Sequence, residues 1–101
     1  MFTHIWNMSF TKDATGDQRD KFVATMTKLP SQIEGVESFR SGVDLGLNPG
    51  NSDVVIVAEF ADETAWRAYL EAPAHVAFIK EHVTPLCASW SAIQFDPSAT
   101  G

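Results

Sequence analysis

The chain has 101 residues, of which 45% are hydrophobic and 20% charged, and it carries a formal charge of −6. One domain with a thin core fits that length, and the apolar fraction excludes a disordered chain. The acidic balance argues against nucleic acid or an anionic membrane as partner, because phosphates repel such a surface. No run approaches the roughly 20 apolar residues of a membrane span, and the start of the chain, Met-Phe-Thr-His-Ile-Trp, has no basic segment leading into an apolar stretch. The single cysteine, Cys87, cannot form an internal disulfide, and no Cys/His spacing suits zinc, so no metal is expected. The expectation is a soluble, cytoplasmic protein.

Phe2, His4, Trp6, Met8 and Phe10 alternate with Thr3, Ile5, Asn7 and Ser9, the period of a strand with one apolar face, and His4 lies on it. Thr15 and Gln18 have capping-box spacing, and from Asp17 the residues Phe22, Val23, Met26 and Leu29 recur at helical intervals until Pro30. Gly35 opens a second strand, expected over Val36 to about Leu45, with Phe39, Val43 and Leu45 on one side. Gly46 to Asn51 is dense in turn formers and reads as a hairpin loop. The third strand, Asp53 to Phe60, holds Val54-Val-Ile-Val57, apolar on both faces, and needs cover on both.

Asp62 is a natural N-cap for a helix carrying Ala65, Trp66 and Tyr69, which pauses at Ala72 because a residue before proline avoids the α region. Pro73 is suited to the first position of a new helix, which puts His75 in its first turn and fades near Thr84-Pro85. At roughly 100° per residue His75, Ile79, His82, Val83 and Leu86 share one arc. A last strand, about Ser89 to Phe95, alternates Trp90, Ala92 and Gln94 with Ser91, Ile93 and Phe95. A domain over residues 1–96 is followed by a polar tail, 97–101, expected to fray.

The order βαββαβ suits an α+β, ferredoxin-like antiparallel sheet with both helices on one face. Two helices cover one side only, so the doubly apolar third strand predicts a homodimer through sheet faces, with Phe39, Val43 and either Val55 or Val57 as candidate contacts.

The segments Asp53…Ala58-Glu-Phe60-Ala-Asp62 and Tyr69-Leu-Glu-Ala-Pro-Ala-His75-Val-Ala-Phe78, preceded by Ser38-Phe-Arg-Ser-Gly42, resemble the stress-responsive dimeric α/β-barrel (Dabb) family from His4 to about Asp96. The resemblance implies a ferredoxin-like homodimer whose two sheets form a barrel. One branch, the olivetolic acid cyclase type, closes linear polyketides by aldol condensation without metal or cofactor. It implies catalytic roles for Tyr69 and His75, helped by His4 and Asp96, with His75 as base, Tyr69 as donor and Asp96 orienting a histidine, expected to be His4. Trp6, Met8, Trp66, Phe78, Ile79 and Trp90 are candidates for the lining of a pocket that takes a small hydrophobic or carbonyl-containing ligand.

Two other functions stay open at this point. One is a stress-responsive protein that binds its ligand without turning it over. The other is an oxygenase of the antibiotic-biosynthesis or haem-degrading type, a class sharing the resemblance's fold and using Asn, Trp and His, for which Asn7, Trp66 and His75 are available. His82, some 10 Å along the helix axis from His75, is too far to share a metal with it and reads as structural. Cys87 reads as a small buried hydrophobe.

Overall fold

The computed structural model describes residues 1–98. Four strands, β1 (Phe2–Phe10), β2 (Ser38–Val43), β3 (Val54–Phe60) and β4 (Cys87–Phe95), form one antiparallel sheet in the order β2-β3-β1-β4. Helix α1 (Gly16–Gln32) joins β1 to β2. Helices α2 (Glu63–Glu71) and α3 (Pro73–Phe78) follow β3, and α3 runs on through a π-helical turn, Ile79–Val83, into a short α4 (Thr84–Leu86). This is the ferredoxin-like α+β arrangement that the order of elements predicts.

Each element has a local cause. The Thr15 hydroxyl accepts from the Gln18 N–H at 3.1 Å and the Gln18 side chain accepts from the Thr15 N–H at 2.9 Å, which together start α1. The helix does not stop at Pro30 but carries it to Gln32; so close to the end proline deprives only the Met26 carbonyl of its N–H, and the Ser31 hydroxyl donates to the Lys28 carbonyl at 2.7 Å. Asp62 caps α2 through the Ala65 N–H. Pro85 has no N–H to return to Glu81 and its ring crowds that carbonyl, and the chain there widens, the Thr84 N–H donating to the Ile79 carbonyl five residues back.

In antiparallel pairs, directly opposed residues share a face, so the register fixes both sides of the sheet. Towards the helices lie the rows Phe39–Ala58–His4–Gln94, Ser41–Ile56–Trp6–Ala92 and Val43–Val54–Met8–Trp90. Met8, Ile56 and Ala58 are buried there against Phe22, Met26 and Leu29 of α1, Tyr69 of α2 and Phe78 of α3. Among the described residues the other face bears Ile5, Val55, Val57, Ile93 and Phe95 and no helix.

The register corrects two expectations. Phe39 and Val43 lie on the helix side, because they oppose Ala58 and Val54, whereas Val55 and Val57 both lie on the free side. The second strand is also shorter than its apolar pattern suggests: it ends at Val43, and Leu45, 84% exposed, belongs to a loop closed by Asp44, whose carboxylate accepts from the Gly46 N–H and the Asn51 amide. Gly46 and Gly50 supply positive φ within that loop. Of the polar tail, Ser98 closes a turn on Asp96, and residues 99–101 lie outside the described residues.

The capping box gives a direct test of how α1 is started. Thr15→Ala should lower stability by about 1 kcal/mol, a fall of roughly 4–8 °C in Tm, measured by thermal unfolding monitored with circular dichroism.

Candidate functional site

Between β1 and β4 on one side and α2, α3 and the π turn on the other lies a cavity of about 620 Å³. Its deep wall is made of His4, Ile56, Tyr69 and Phe78, all buried, and its rim of Trp90, Ala92 and Gln94, all exposed on the edge strand. Among the described residues the lining contains no Asp, Glu, Lys or Arg. Such a space favours a neutral, largely apolar ligand with a few polar atoms.

Three titratable rings converge at the deep end. Tyr69 stands between two imidazoles, its ring centroid 4.6 Å from that of His75 and 6.4 Å from that of His4. Their placement follows from the break at Ala72-Pro73. Ala72 is extended (φ −61°, ψ 137°), its N–H turns back to the Tyr69 carbonyl at 3.2 Å, and the His75 ring Nδ1 lies 3.1 Å from the Leu70 carbonyl. A carbonyl only accepts, so Nδ1 carries the proton and Nε2 is the unprotonated nitrogen of the neutral ring. No hydrogen bond from the Tyr69 hydroxyl is found among the described residues, which leaves its O–H for a ligand.

Burial holds all three groups in their neutral forms. It lowers the His75 pKa from the ordinary 6.5, partly opposed by the hydrogen bond to Leu70. His4 is brought down to about 4, first by burial and then by repulsion from His75. Tyr69 is pushed up to about 12 by burial alone. The site thus offers a neutral imidazole as proton acceptor and a neutral phenol as donor at physiological pH.

Of the residues singled out from sequence, His4, Trp6, Trp66, Tyr69, His75, Phe78, Ile79 and Trp90 line this cavity. Met8 does not. It points to the same side of the sheet but is fully buried in the core, where α1 covers it. Asp96 also lies outside the lining: beyond the last β4 residue, it accepts from the Ser98 N–H and hydroxyl at 2.9 and 2.6 Å and lies 3.7 Å from the amino terminus. Those hydrogen bonds from Ser98 lower its pKa. His82, on the same predicted arc as His75, instead faces α1, with Nε2 3.5 Å from the Thr25 hydroxyl, because the π turn resets the helix phase. Asn7 points to the opposite face of the sheet, accepting from Ser52 and Ser91, and does not meet Trp66 and His75. Among the lining residues not singled out from sequence, which include Leu70, Thr84 and Cys87, is Gln94. The two-residue period of β4 put it on one side with Trp90 and Ala92, and only the register shows that this side faces His4.

The profile of the stress responsive A/B barrel domain (Dabb) matches residues 2–97. The chain belongs to this family. Its structure is similar to that of a dimeric ferredoxin-like protein of unknown function from Thermobifida fusca YX, with a TM-score of 0.85 and 33% identity over 93% of this chain and 88% of that one. It is also similar to a Dabb family protein from Mesorhizobium loti (TM-score 0.81, 23% identity, 97% of each chain) and to the hydroxynitrile lyase from Passiflora edulis (TM-score 0.83, 16% identity, 99% of this chain and 96% of that one). At those two identities the likeness is one of fold. No curated protein matches the chain.

The buried imidazoles make stability depend on pH in a defined direction. Unfolded histidine takes up a proton below about 6.5, whereas folded His4 resists it down to about 4 and His75 is shifted the same way, so the unfolded state binds more protons in that window. Stability should therefore fall as the pH drops from about 6.5 to 4, by an amount on the order of 3 kcal/mol for His4. Urea unfolding at stepped pH should show a smaller loss in His4→Gln than in the wild type, and equal losses would contradict the assignment.

Proposed function

We propose that the protein is a cofactor-free catalyst of aldol-type chemistry on a small carbonyl compound, of the polyketide cyclase or lyase kind. The observation that supports this best is the Tyr69–His75 pair, ring centroids 4.6 Å apart, with Nδ1 of His75 held by the Leu70 carbonyl, in a cavity that no charged side chain lines among the described residues. In this reading Nε2 of His75 takes a proton from a carbon between two carbonyls, and the Tyr69 O–H donates to the enolate oxygen. The enolate carbon attacks a second carbonyl of the same molecule, a carbon–carbon bond closes the ring, and the imidazolium returns its proton to the new alkoxide. The reverse sequence cleaves such a bond. The same fold serves a hydroxynitrile lyase, so it is compatible with addition and elimination at a carbonyl carbon.

The depressed pKa of His75 narrows the substrate. A weak base removes only a rather acidic proton, which selects a carbon flanked by two carbonyls, as in a poly-β-ketone, over a simple ketone. Burial that disfavours the imidazolium is offset once the enolate appears beside it, since the pair is then neutral overall.

Turnover of a linear tetraketide should fall about 10²–10⁴-fold in His75→Ala and about 10²–10³-fold in Tyr69→Phe, measured by product formation under saturating substrate. In the wild type the rate should decline on the acid side, with its midpoint below 6.5. Equal rates in all three proteins would remove the catalytic reading and leave a binding protein that uses the same cavity.

We further propose a homodimer through the free sheet face, whose centre is the row Arg40–Val57–Ile5–Ile93 and whose outer strand leaves Ile93 and Phe95 57% and 42% exposed. The Thermobifida fusca protein of the same fold is described as dimeric. Val57→Glu should convert a dimer into a monomer in sedimentation equilibrium; an unchanged mass would place the contact elsewhere.

A further inference from the structure

Gln94 and His4 are polar groups of the cavity that the aldol scheme leaves idle. The register sets Gln94 directly across from His4, and its Nε2 lies 3.0 Å from His4 Nδ1. An amide NH2 only donates, so Nδ1 accepts and the single proton of the neutral ring resides on Nε2. Asp96, to which the family resemblance assigns this role, is occupied with Ser98. The groups around His4 are Trp66 and Tyr69 of α2, His75 of α3 and Ala58 of β3, and no carboxylate or ammonium group lines the cavity among the described residues. An amide in that position has a different consequence from a carboxylate. It fixes the ring without stabilising the imidazolium, and burial together with His75 then keeps His4 neutral.

We propose that Gln94 is a positioning residue that holds His4 in its Nε2–H tautomer and makes it a fixed hydrogen-bond donor to the ligand. The cavity then presents two neutral donors, Nε2–H of His4 and the O–H of Tyr69, beside one neutral acceptor, Nε2 of His75. The ligand class that uses all three has two acceptor oxygens flanking a carbon acid, a 1,3-dicarbonyl unit. This choice of ligand rests on the function proposed above; the Gln94–His4 contact does not.

The test is long-range ¹H–¹⁵N correlation spectroscopy of the histidine rings in ligand-free wild type, Gln94→Leu and Gln94→Glu, at pH 7 for the tautomers and across a pH series for the titration midpoint. The wild type should show His4 protonated on Nε2 alone. Gln94→Leu should show a mixture of both tautomers, and Gln94→Glu should raise the His4 titration midpoint by about one unit or more. A wild-type His4 protonated on Nδ1, or a Gln94→Leu spectrum identical to that of the wild type, would overturn the positioning role. Gln94 is exposed on an edge strand, so both variants should fold. Binding of pentane-2,4-dione, followed by calorimetry, should weaken roughly three- to tenfold in Gln94→Leu. No binding to the wild type, or equal binding to both, would remove the 1,3-dicarbonyl assignment. Because neither measurement requires turnover, an inactive wild type in the tetraketide assay would count against the catalytic reading alone.

Discussion

The dipeptide Ala72-Pro73 is the constraint on which the site depends. Had the helix continued, residue 74 would have donated its N–H to the Leu70 carbonyl and the side chain at 75 would have followed the phase of Tyr69. Proline forces Ala72 out of the α region, and the chain restarts at an angle with His75 in the first turn of the new helix. The orphaned carbonyl of Leu70 is then satisfied by an imidazole in place of a backbone amide. One backbone defect therefore selects the tautomer of His75, brings its ring to within 4.6 Å of Tyr69, and leaves Nε2 unprotonated.

Much of this was legible in the chain because it is local. Proline at a helix start, the Asp62 cap, the Thr15–Gln18 box and the alternation of β1 each act over a few residues, and each forms where its pattern lies. Register is not local. Alternation in β2 separates Phe39 and Val43 from their neighbours but cannot say which set meets the helices; that depends on which residue of β3 each one opposes. The same ignorance hid Gln94. Asp96, one residue past β4, would continue the phase of Gln94, and a two-residue difference in pairing decides which reaches His4. Met8 failed as a pocket residue for a related reason: strand phase gives the side of the sheet, whereas the position of α1 above that side decides between core and cavity. The π turn at Ile79–Val83 has a cause in Pro85, but its effect on His82 accumulates along a helix that an ideal repeat treats as uniform.

The sheet is covered unevenly, and that unevenness makes the cavity. Helices α1 and α2 lie over β1, β2 and β3, while β4 stands at the edge with Trp90 63% exposed. The core residues Met8, Phe22 and Met26 fill the middle completely, so empty volume collects where the helical layer leaves β4. The polar groups at that margin are neutral, which matches an acidic chain that keeps its carboxylates on the outside. A charged ligand would have to leave its ionic hydration without gaining a counter-ion, whereas a ketone or enol loses little on entry and gains donors.

Burial and their mutual repulsion disfavour a charge on both imidazoles at once. Burial and repulsion from His75 bring His4 down to about 4, and its neutrality above that removes the repulsion that would otherwise oppose a transient charge on His75. A carboxylate beside His4 would stabilise a permanent imidazolium there, and His75 would then become a still weaker base. The amide of Gln94 avoids that outcome while still fixing the ring. In the proposed scheme one histidine holds its proton and the other exchanges it, a division that follows from what each ring nitrogen faces: an amide donor for His4, a carbonyl acceptor for His75.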